Sequence, residues 1–111
     1  MDNRLAVKMP LQLDSTVNYG VHKRALTTSD QERADKNGYN TYVVQGLPVG
    51  PIGNPGATSI TAAQRPADGP WLFFVTVNPT TGETRFATTP AEHEVNVKLF
   101  QQWCQANPGK C

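Results

Sequence analysis

The stretch Gly46-Leu47-Pro48-Val49-Gly50-Pro51-Ile52-Gly53-Asn54-Pro55-Gly56 decides most about how this chain can fold. Its four glycines and three prolines indicate a backbone shaped by fixed φ angles and left-handed turns, which excludes a regular helix and a central strand. Leu47, Val49 and Ile52 supply apolar anchors that a flexible linker lacks. We therefore predict a shaped loop that, with the neighbouring polar and aromatic run Tyr39–Tyr42, forms one wall of a binding groove.

Outward from this loop, the sequence predicts an α+β fold: a small β-sheet including a C-terminal hairpin, packed against two or three helices. On the N-terminal side we expect a helical segment at 3–8, a short strand at 11–13, and a helical segment at 16–19 with Asp14 or Ser15 as its N-cap. We also expect an exposed loop with at most one helical turn at 21–38 and a β-rich segment at 39–44. Gly20 is expected to close the second helical segment.

The C-terminal half has clearer signals for where helices and strands begin and end. Asn54-Pro55 predicts a helix start, with the helix running to about Gln64. A hairpin follows, with strands at 71–77 and 83–87 and a turn at 78–82. Thr89-Pro90-Ala91-Glu92 forms a capping box, and Val95, Leu99 and Trp103 predict the stripe by which the last helix packs on the hairpin.

Composition and spacing limit which kinds of partner the chain could bind. The chain has 111 residues and a formal net charge of +1, which gives no electrostatic case for nucleic acid. The apolar run 71–75 is far too short for a membrane span. The spacing of Cys104 and Cys111 does not suit a zinc site, and the sequence leaves open a disulfide or two free thiols.

No complete catalytic constellation is visible in the sequence. His22 and His93 have no evident catalytic partner, and we expect His93 to be a surface or half-buried structural residue. Asp14 is the acid with the most apolar neighbourhood in sequence, and two interpretations stay open: a helix N-cap or a reacting acid.

Several motifs, in order, resemble the endolytic murein transglycosylases (the YceG-like, or MltG, family). They cover nearly the whole chain, with small departures at Ser15 and Val49, where proline is usual in that family. The matching segments are Asn3-Arg4-Leu5, Leu11 to Gly20, Tyr39-Asn40-Thr41-Tyr42, the Gly/Pro stretch at 46–56, the 71–75 strand, the Phe86 strand and the helix start at 89–93.

The resemblance implies a membrane-anchored enzyme on the outer face of the bacterial cytoplasmic membrane. Such enzymes cut nascent peptidoglycan strands between N-acetylmuramic acid and N-acetylglucosamine, and leave 1,6-anhydro ends. Their catalytic Glu lies on a helix upstream of the segment matched by Asn3-Arg4-Leu5. Residues 1–111 then correspond to the C-terminal part of the catalytic domain, without the membrane helix, the LysM-like subdomain and the catalytic Glu, and we expect the chain to be inactive alone.

Position within the matching motifs gives six candidates for contacts with the sugar. Amides and carboxylates suit sugar hydroxyl and N-acetyl groups, and tyrosine offers a stacking face. For Asp14 and Asn54, a purely structural role as cap or turn residue stays open. The candidates are Gln12, Asp14, Tyr19, Asn40, Tyr42 and Asn54.

Two functions are alternatives to this enzymatic one. One is a non-catalytic module that binds glycan or docks on cell-wall synthesis proteins. The other is pyridoxal-phosphate chemistry, which the terminal, charged or helix-surface contexts of all five lysines disfavour. We therefore expect no cofactor.

Overall fold

Five helices and one two-stranded antiparallel sheet make up the protein, and the predicted α+β class is confirmed. The computed structural model describes residues 1–111, which divide into two units, Asp2–Gly69 and Pro70–Cys111. The elements are α1 (Asp2–Ala6), α2 (Asp14–Gly20), α3 (Asp30–Arg33), α4 (Ala57–Gln64), β1 (Phe73–Asn78), β2 (Glu83–Ala87) and α5 (Pro90–Ala106).

The interior of the first unit is small and largely polar. Leu11 and Val17 are its buried apolar side chains, and Val17 is completely inaccessible. Around them lie buried Thr16, Asn40 and Thr41. Because buried polar groups must be hydrogen-bonded, the packing of this unit depends on side-chain hydrogen bonds as much as on apolar contact.

The predicted strands at 11–13 and 39–44 are wrong. Gln12 has φ +52°, which no strand residue adopts, and 39–44 forms successive turns. The two segments still meet: the Gln12 N–H donates to the Thr41 carbonyl oxygen at 3.1 Å, and the Leu13 N–H donates to Thr41 Oγ1 at 2.9 Å. The Thr41 hydroxyl thus accepts a backbone N–H that in a β-sheet would donate to a carbonyl oxygen. An alternating sequence pattern does not reveal this substitution.

The Gly/Pro stretch is a loop, as predicted, and of its three predicted anchors only Ile52 is half-buried. Only Gly46 among its glycines has a positive φ, and Leu47 and Val49 are 71% and 73% exposed. The loop is held instead by its backbone, since the Val49 N–H donates to the Gly38 carbonyl oxygen at 2.9 Å. A Cβ on Gly38 would lie 3.0 Å from Val49 Cγ1, so the absence of a side chain there permits this approach.

Gly20 is the last residue of α2, as predicted for a helix-closing glycine, but not because of a left-handed turn. Its φ is not positive, and a Cβ there would collide with the Asn37 side chain. Close packing of Asn37 explains the glycine.

The segment 21–38, predicted as a loop with at most one helical turn, contains α3. Ser29 Oγ accepts from the Glu32 N–H at 3.2 Å, and Glu32 Oε2 accepts from the Ser29 N–H at 2.7 Å, which completes a capping box. The S-x-x-E pattern predicts such a start, and that signal was present in the sequence.

Helix α4 begins two residues later than predicted. Gly56 is its N-cap, without a side-chain cap, so Asn54 does not cap the helix. None of its residues is buried, and Ile60 is 46% exposed.

In the second unit, the hairpin and α5 form as predicted. The register pairs Phe74 with Phe86 and Thr76 with Thr84, and Asn78 Oδ1 accepts the Thr80 and Thr81 N–H groups in the turn. The Thr89–Glu92 capping box is present with Pro90 at the start of α5, and α5 packs on both strands.

The predicted packing stripe on α5 is right at Trp103, which is half-buried, and wrong at Val95 and Leu99, which are 62% and 39% exposed. Four residues turn a helix about 400°, so a strict four-residue spacing drifts about 40° per step away from a fixed partner. The half-buried residues from His93 to Cys104 follow the mixed three- and four-residue spacing of a helix face: His93, Asn96, Val97, Phe100, Trp103 and Cys104.

His93 is half-buried and stacks on Phe73 with ring centroids 5.3 Å apart, as the structural interpretation predicted. Cys104 and Cys111 form a disulfide that ties the C-terminal residues to the last turn of α5. None of the helices combines the length and apolar character needed to cross a bilayer.

Candidate functional site

Asp14 and Tyr42 come together in the first unit as the centre of a polar cluster. Asp14 Oδ1 accepts the Tyr42 hydroxyl at 2.8 Å and the Thr28 hydroxyl at 2.7 Å. Arg33 completes the cluster, since its Nη1 donates to the Thr28 carbonyl and hydroxyl oxygens, both at 3.1 Å. We call these four residues, Asp14, Thr28, Arg33 and Tyr42, the Asp14 cluster.

The cluster settles which local role Asp14 has. The N-cap of α2 is Leu13, and no side chain caps this helix. Asp14 is the first helical residue, so the predicted N-cap role is wrong, and its carboxylate is directed to Thr28 and Tyr42. Its position in the first helical turn also favours a negative charge there.

Tyr42 is held as a neutral hydroxyl. Burial raises its pKa, the hydrogen bond to Asp14 raises it further, and the value reaches about 12. The phenol therefore donates to Asp14 at neutral pH and is no base. The Arg33 guanidinium carbon lies 5.7 Å from the centre of the Tyr42 ring, within the range of a cation–π contact.

Thr28 and Arg33 are not among the predicted site residues, because the segment 21–38 has no apolar periodicity and is predicted to be an exposed loop. The capping box at Ser29 was the available signal for a helix here. It marks the start of the short helix that ends at Arg33, and Thr28 is the residue before its N-cap. An ion pair with Asp30 holds the guanidinium and raises the pKa of Arg33.

Asn40 lies at the base of the cluster and is completely buried. Its Nδ2 donates to the carbonyl oxygens of Arg33 at 3.0 Å and Asp35 at 2.7 Å, and its Oδ1 accepts the Tyr42 N–H at 2.9 Å. The predicted sugar contact is replaced by a positioning role, because Asn40 fixes the backbone on both sides of the cluster.

Thr16 and Thr41 connect the cluster to the segment 11–13. Their hydroxyls lie 2.8 Å apart, Thr16 Oγ1 donates to the Leu13 carbonyl oxygen at 2.6 Å, and both residues are at most 1% exposed. This buried network aligns the residue before α2 with the residue before Tyr42.

Gln12 is exposed beside this network, in the left-handed backbone region. The buried Arg4 donates from Nη1 to the Pro10 and Leu11 carbonyl oxygens at 3.0 and 2.9 Å and to Gln12 Oε1 at 3.3 Å. Burial lowers the pKa of Arg4.

Tyr19 is 44% exposed and packs on Tyr39, with ring centroids 4.7 Å apart. A Cβ on Gly50 would lie 3.4 Å from the Tyr39 hydroxyl, so the Gly/Pro loop passes close to that ring. The two rings give a partly exposed aromatic surface next to the loop, of the kind that stacks on a sugar ring. Asn54 is exposed and belongs to the end of the loop, and no hydrogen bond joins it to the Asp14 cluster.

Glu32 cannot serve as a proton donor. The hydrogen bonds from Lys23 and from the Ser29 backbone lower its pKa to about 2. No three His, Cys, Asp or Glu side chains of residues 1–111 take up the arrangement of a metal site. The first unit thus carries an exposed amide at Gln12, a tyrosine hydroxyl held by a carboxylate, and a pair of tyrosine rings.

Comparison with known proteins gives the same family throughout. The sequence profile of the YceG-like family matches residues 1–99. The endolytic murein transglycosylase of Bacillus subtilis (strain 168) is 43% identical over 93 residues, which are 82% of this chain and 25% of that protein. A crystal structure of a YceG-like protein from Listeria monocytogenes superimposes with a TM-score of 0.78 at 39% identity, over 85% of this chain and 30% of that one. The chain thus spans between a quarter and a third of the length of these two relatives.

Proposed function

Because the chain belongs to the YceG-like family, we propose that it supplies a glycan-contacting part of a peptidoglycan lytic transglycosylase. The observation that carries the proposal is the Asp14 cluster, in a chain 43% identical to an endolytic murein transglycosylase over 93 residues. Its groups suit a glycan, since a fixed hydroxyl, an exposed amide and aromatic rings are what sugar hydroxyls, acetamido groups and pyranose faces bind.

The proposed reaction belongs to a longer protein of which residues 1–111 are the C-terminal part of the catalytic domain. The C6 hydroxyl oxygen of N-acetylmuramic acid forms a bond to its own C1, and the bond from C1 to the N-acetylglucosamine oxygen breaks. One Glu, upstream of Asn3, protonates the leaving oxygen and takes up the proton of the C6 hydroxyl. Atoms balance without water, and the product carries a 1,6-anhydro ring.

In this proposal the residues described here bind and orient the glycan. Gln12 and Tyr42 contact polar groups of the sugar, the Tyr19–Tyr39 pair stacks on a ring, and Asp14 holds the Tyr42 hydroxyl in place. Asn54 contacts the glycan only if the strand extends along the Gly/Pro loop.

We place the longer protein at the outer face of the cytoplasmic membrane, anchored by a helix outside these residues. The Cys104–Cys111 disulfide supports this location, because disulfides persist in oxidising compartments.

A chimera tests the proposal. The segment of the Bacillus subtilis enzyme that matches this chain is replaced by the matching residues, and the chimera digests purified peptidoglycan. We expect 1,6-anhydro products by mass spectrometry, and their loss on changing Asp14→Ala in the chimera. A folded chimera that releases no such product, or one unaffected by Asp14→Ala, would contradict the proposal.

A non-catalytic docking role is the second candidate, and one observation favours it. Leu47 and Val49 on the Gly/Pro loop and Ile60 on α4 are 71%, 73% and 46% exposed, so they offer apolar surface to a partner. A Leu47→Ser/Val49→Ser double variant of the chimera distinguishes the two roles. Docking predicts loss of a cell-wall synthesis partner with unchanged product release, and the enzymatic role alone predicts no loss of any partner.

A further inference from the structure

Gln12 combines three properties that no other residue of the chain combines: a left-handed backbone, an exposed side-chain amide, and a buried guanidinium fixing one end of that amide. Its φ is +52°, and outside glycine only Lys8 and His22 share this region, both at +57°. A left-handed conformation disfavours folding for a residue with a Cβ, and persists where the surroundings enforce it.

The surroundings of Gln12 do enforce it from two sides. On one side Arg4 donates to the carbonyl oxygens of Pro10 and Leu11, which are the two residues before Gln12. On the other side the Gln12 and Leu13 N–H groups donate to the carbonyl and hydroxyl oxygens of Thr41.

Arg4 also decides which way the amide of Gln12 faces. A guanidinium has donors only, so the atom 3.3 Å from Arg4 Nη1 must be the amide oxygen. The Nε2 group therefore faces away from Arg4 with its two N–H donors unused by the chain. Gln12 is exposed, so this donor can exchange water for an acceptor on a ligand. The strongest neutral acceptor on the proposed glycan is the carbonyl oxygen of an acetamido group.

We infer that Gln12 reads an N-acetyl group of the glycan by donating from Nε2 to the acetamido carbonyl, and that Arg4 is the residue that positions it. This inference rests on the proposed function, because it presupposes that a glycan binds beside the Asp14 cluster.

The test measures dissociation constants of the 111-residue chain for a GlcNAc–MurNAc tetrasaccharide, for its de-N-acetylated form, and for the same material after re-acetylation. Gln12→Gly keeps the backbone favourable and removes the amide. We expect it to weaken binding of both acetylated samples about tenfold, which corresponds to about 1.4 kcal/mol, and to leave the de-N-acetylated sample unchanged.

His22→Gly is the matched control, since His22 is exposed with nearly the same φ and lies outside the proposed surface. His22→Gly should raise the melting temperature by several degrees, because it removes a left-handed residue with a Cβ. Gln12→Gly should raise it less, because it also removes the side-chain acceptor of Arg4. Only Gln12→Gly should weaken the glycan.

Arg4→Lys tests the positioning role, since a single ammonium replaces the planar fork. We expect a loss of affinity in the wild-type background that is absent in the Gln12→Gly background. Additive losses would show that Arg4 acts on the fold and not through Gln12.

The failures are distinguishable. Equal binding of wild type and Gln12→Gly, or equal losses with acetylated and de-N-acetylated glycan, overturns the inference and leaves the proposed function standing. A folded wild-type chain that binds none of the samples overturns the proposed function itself.

Discussion

Tyr42 makes the stability of the first unit depend on pH in the alkaline range. Its pKa is about 12 in the folded chain against an ordinary value of 10.0, so folding favours the protonated phenol. The stabilisation is fully present below pH 10 and declines as the pH rises from 10 towards 12, where the unfolded chain ionises first. We expect wild type to lose about 1 kcal/mol more than Tyr42→Phe over this range, after allowance for solvent screening. Urea unfolding at pH 9 and pH 11.5 measures the difference, and parallel curves for the two proteins would contradict the pKa assignment.

Glu32 makes the opposite prediction at acid pH. Its pKa is lowered from 4.5 to about 2, so its contribution is present above pH 4.5 and is lost as the pH falls towards 2. Glu32→Gln should flatten this part of the stability profile, whereas Glu94→Gln, at an exposed position of α5, should not. Unfolding midpoints between pH 2.5 and 6 measure it, and identical profiles for the two variants would show that the Lys23 ion pair and the Ser29 cap add nothing.

At the scale of elements, the Thr16–Thr41 network replaces the strand pairing expected between 11–13 and 39–44. Thr41→Val keeps the shape but leaves the Leu13 N–H without its acceptor and removes the hydroxyl–hydroxyl hydrogen bond to Thr16, which keeps its bond to the Leu13 carbonyl oxygen. We expect it to destabilise the chain by about 1–3 kcal/mol. Thr58→Val, on the exposed helix α4, should change stability by less than about 0.5 kcal/mol. Chemical denaturation of both variants decides, and equal small effects would mean that water replaces the hydroxyl.

The same elements show what the sequence could and could not predict. The hairpin, the capping box at Thr89 and the Gly/Pro loop were predictable, because turn residues and caps act within a few positions of themselves. The turns at 39–44 and the left-handed Gln12 were not, because hydrogen bonds to partners 25 to 29 positions away contribute to both. For the candidate site, the glycan contacts stay a prediction, and only the structure shows that Asn40 is buried and that Thr28 and Arg33 lie with Asp14.

Within the whole molecule, the disulfide stabilises only the C-terminal tail and the last turn of α5. Cys104 and Cys111 are seven positions apart, so closing this loop is worth about 2–3 kcal/mol in the chain-entropy account. Reduction should therefore release the tail and the last turn of α5 while the hairpin stays folded. Hydrogen exchange with and without reductant measures this, with Cys104→Ala/Cys111→Ala as a control insensitive to reductant. Loss of protection throughout β1 and β2 would contradict a local role.

Every candidate glycan contact lies in the unit Asp2–Gly69, so the proposal assigns glycan binding to that unit alone. Amide and side-chain NMR shifts of the 111-residue chain, titrated with GlcNAc–MurNAc oligosaccharides, show whether this unit binds glycan. We expect the shifts to concentrate at Gln12, Tyr19 and Tyr42 and at the backbone beside Asp14. Shifts confined to the hairpin and α5, or no shifts at saturating glycan, would contradict it.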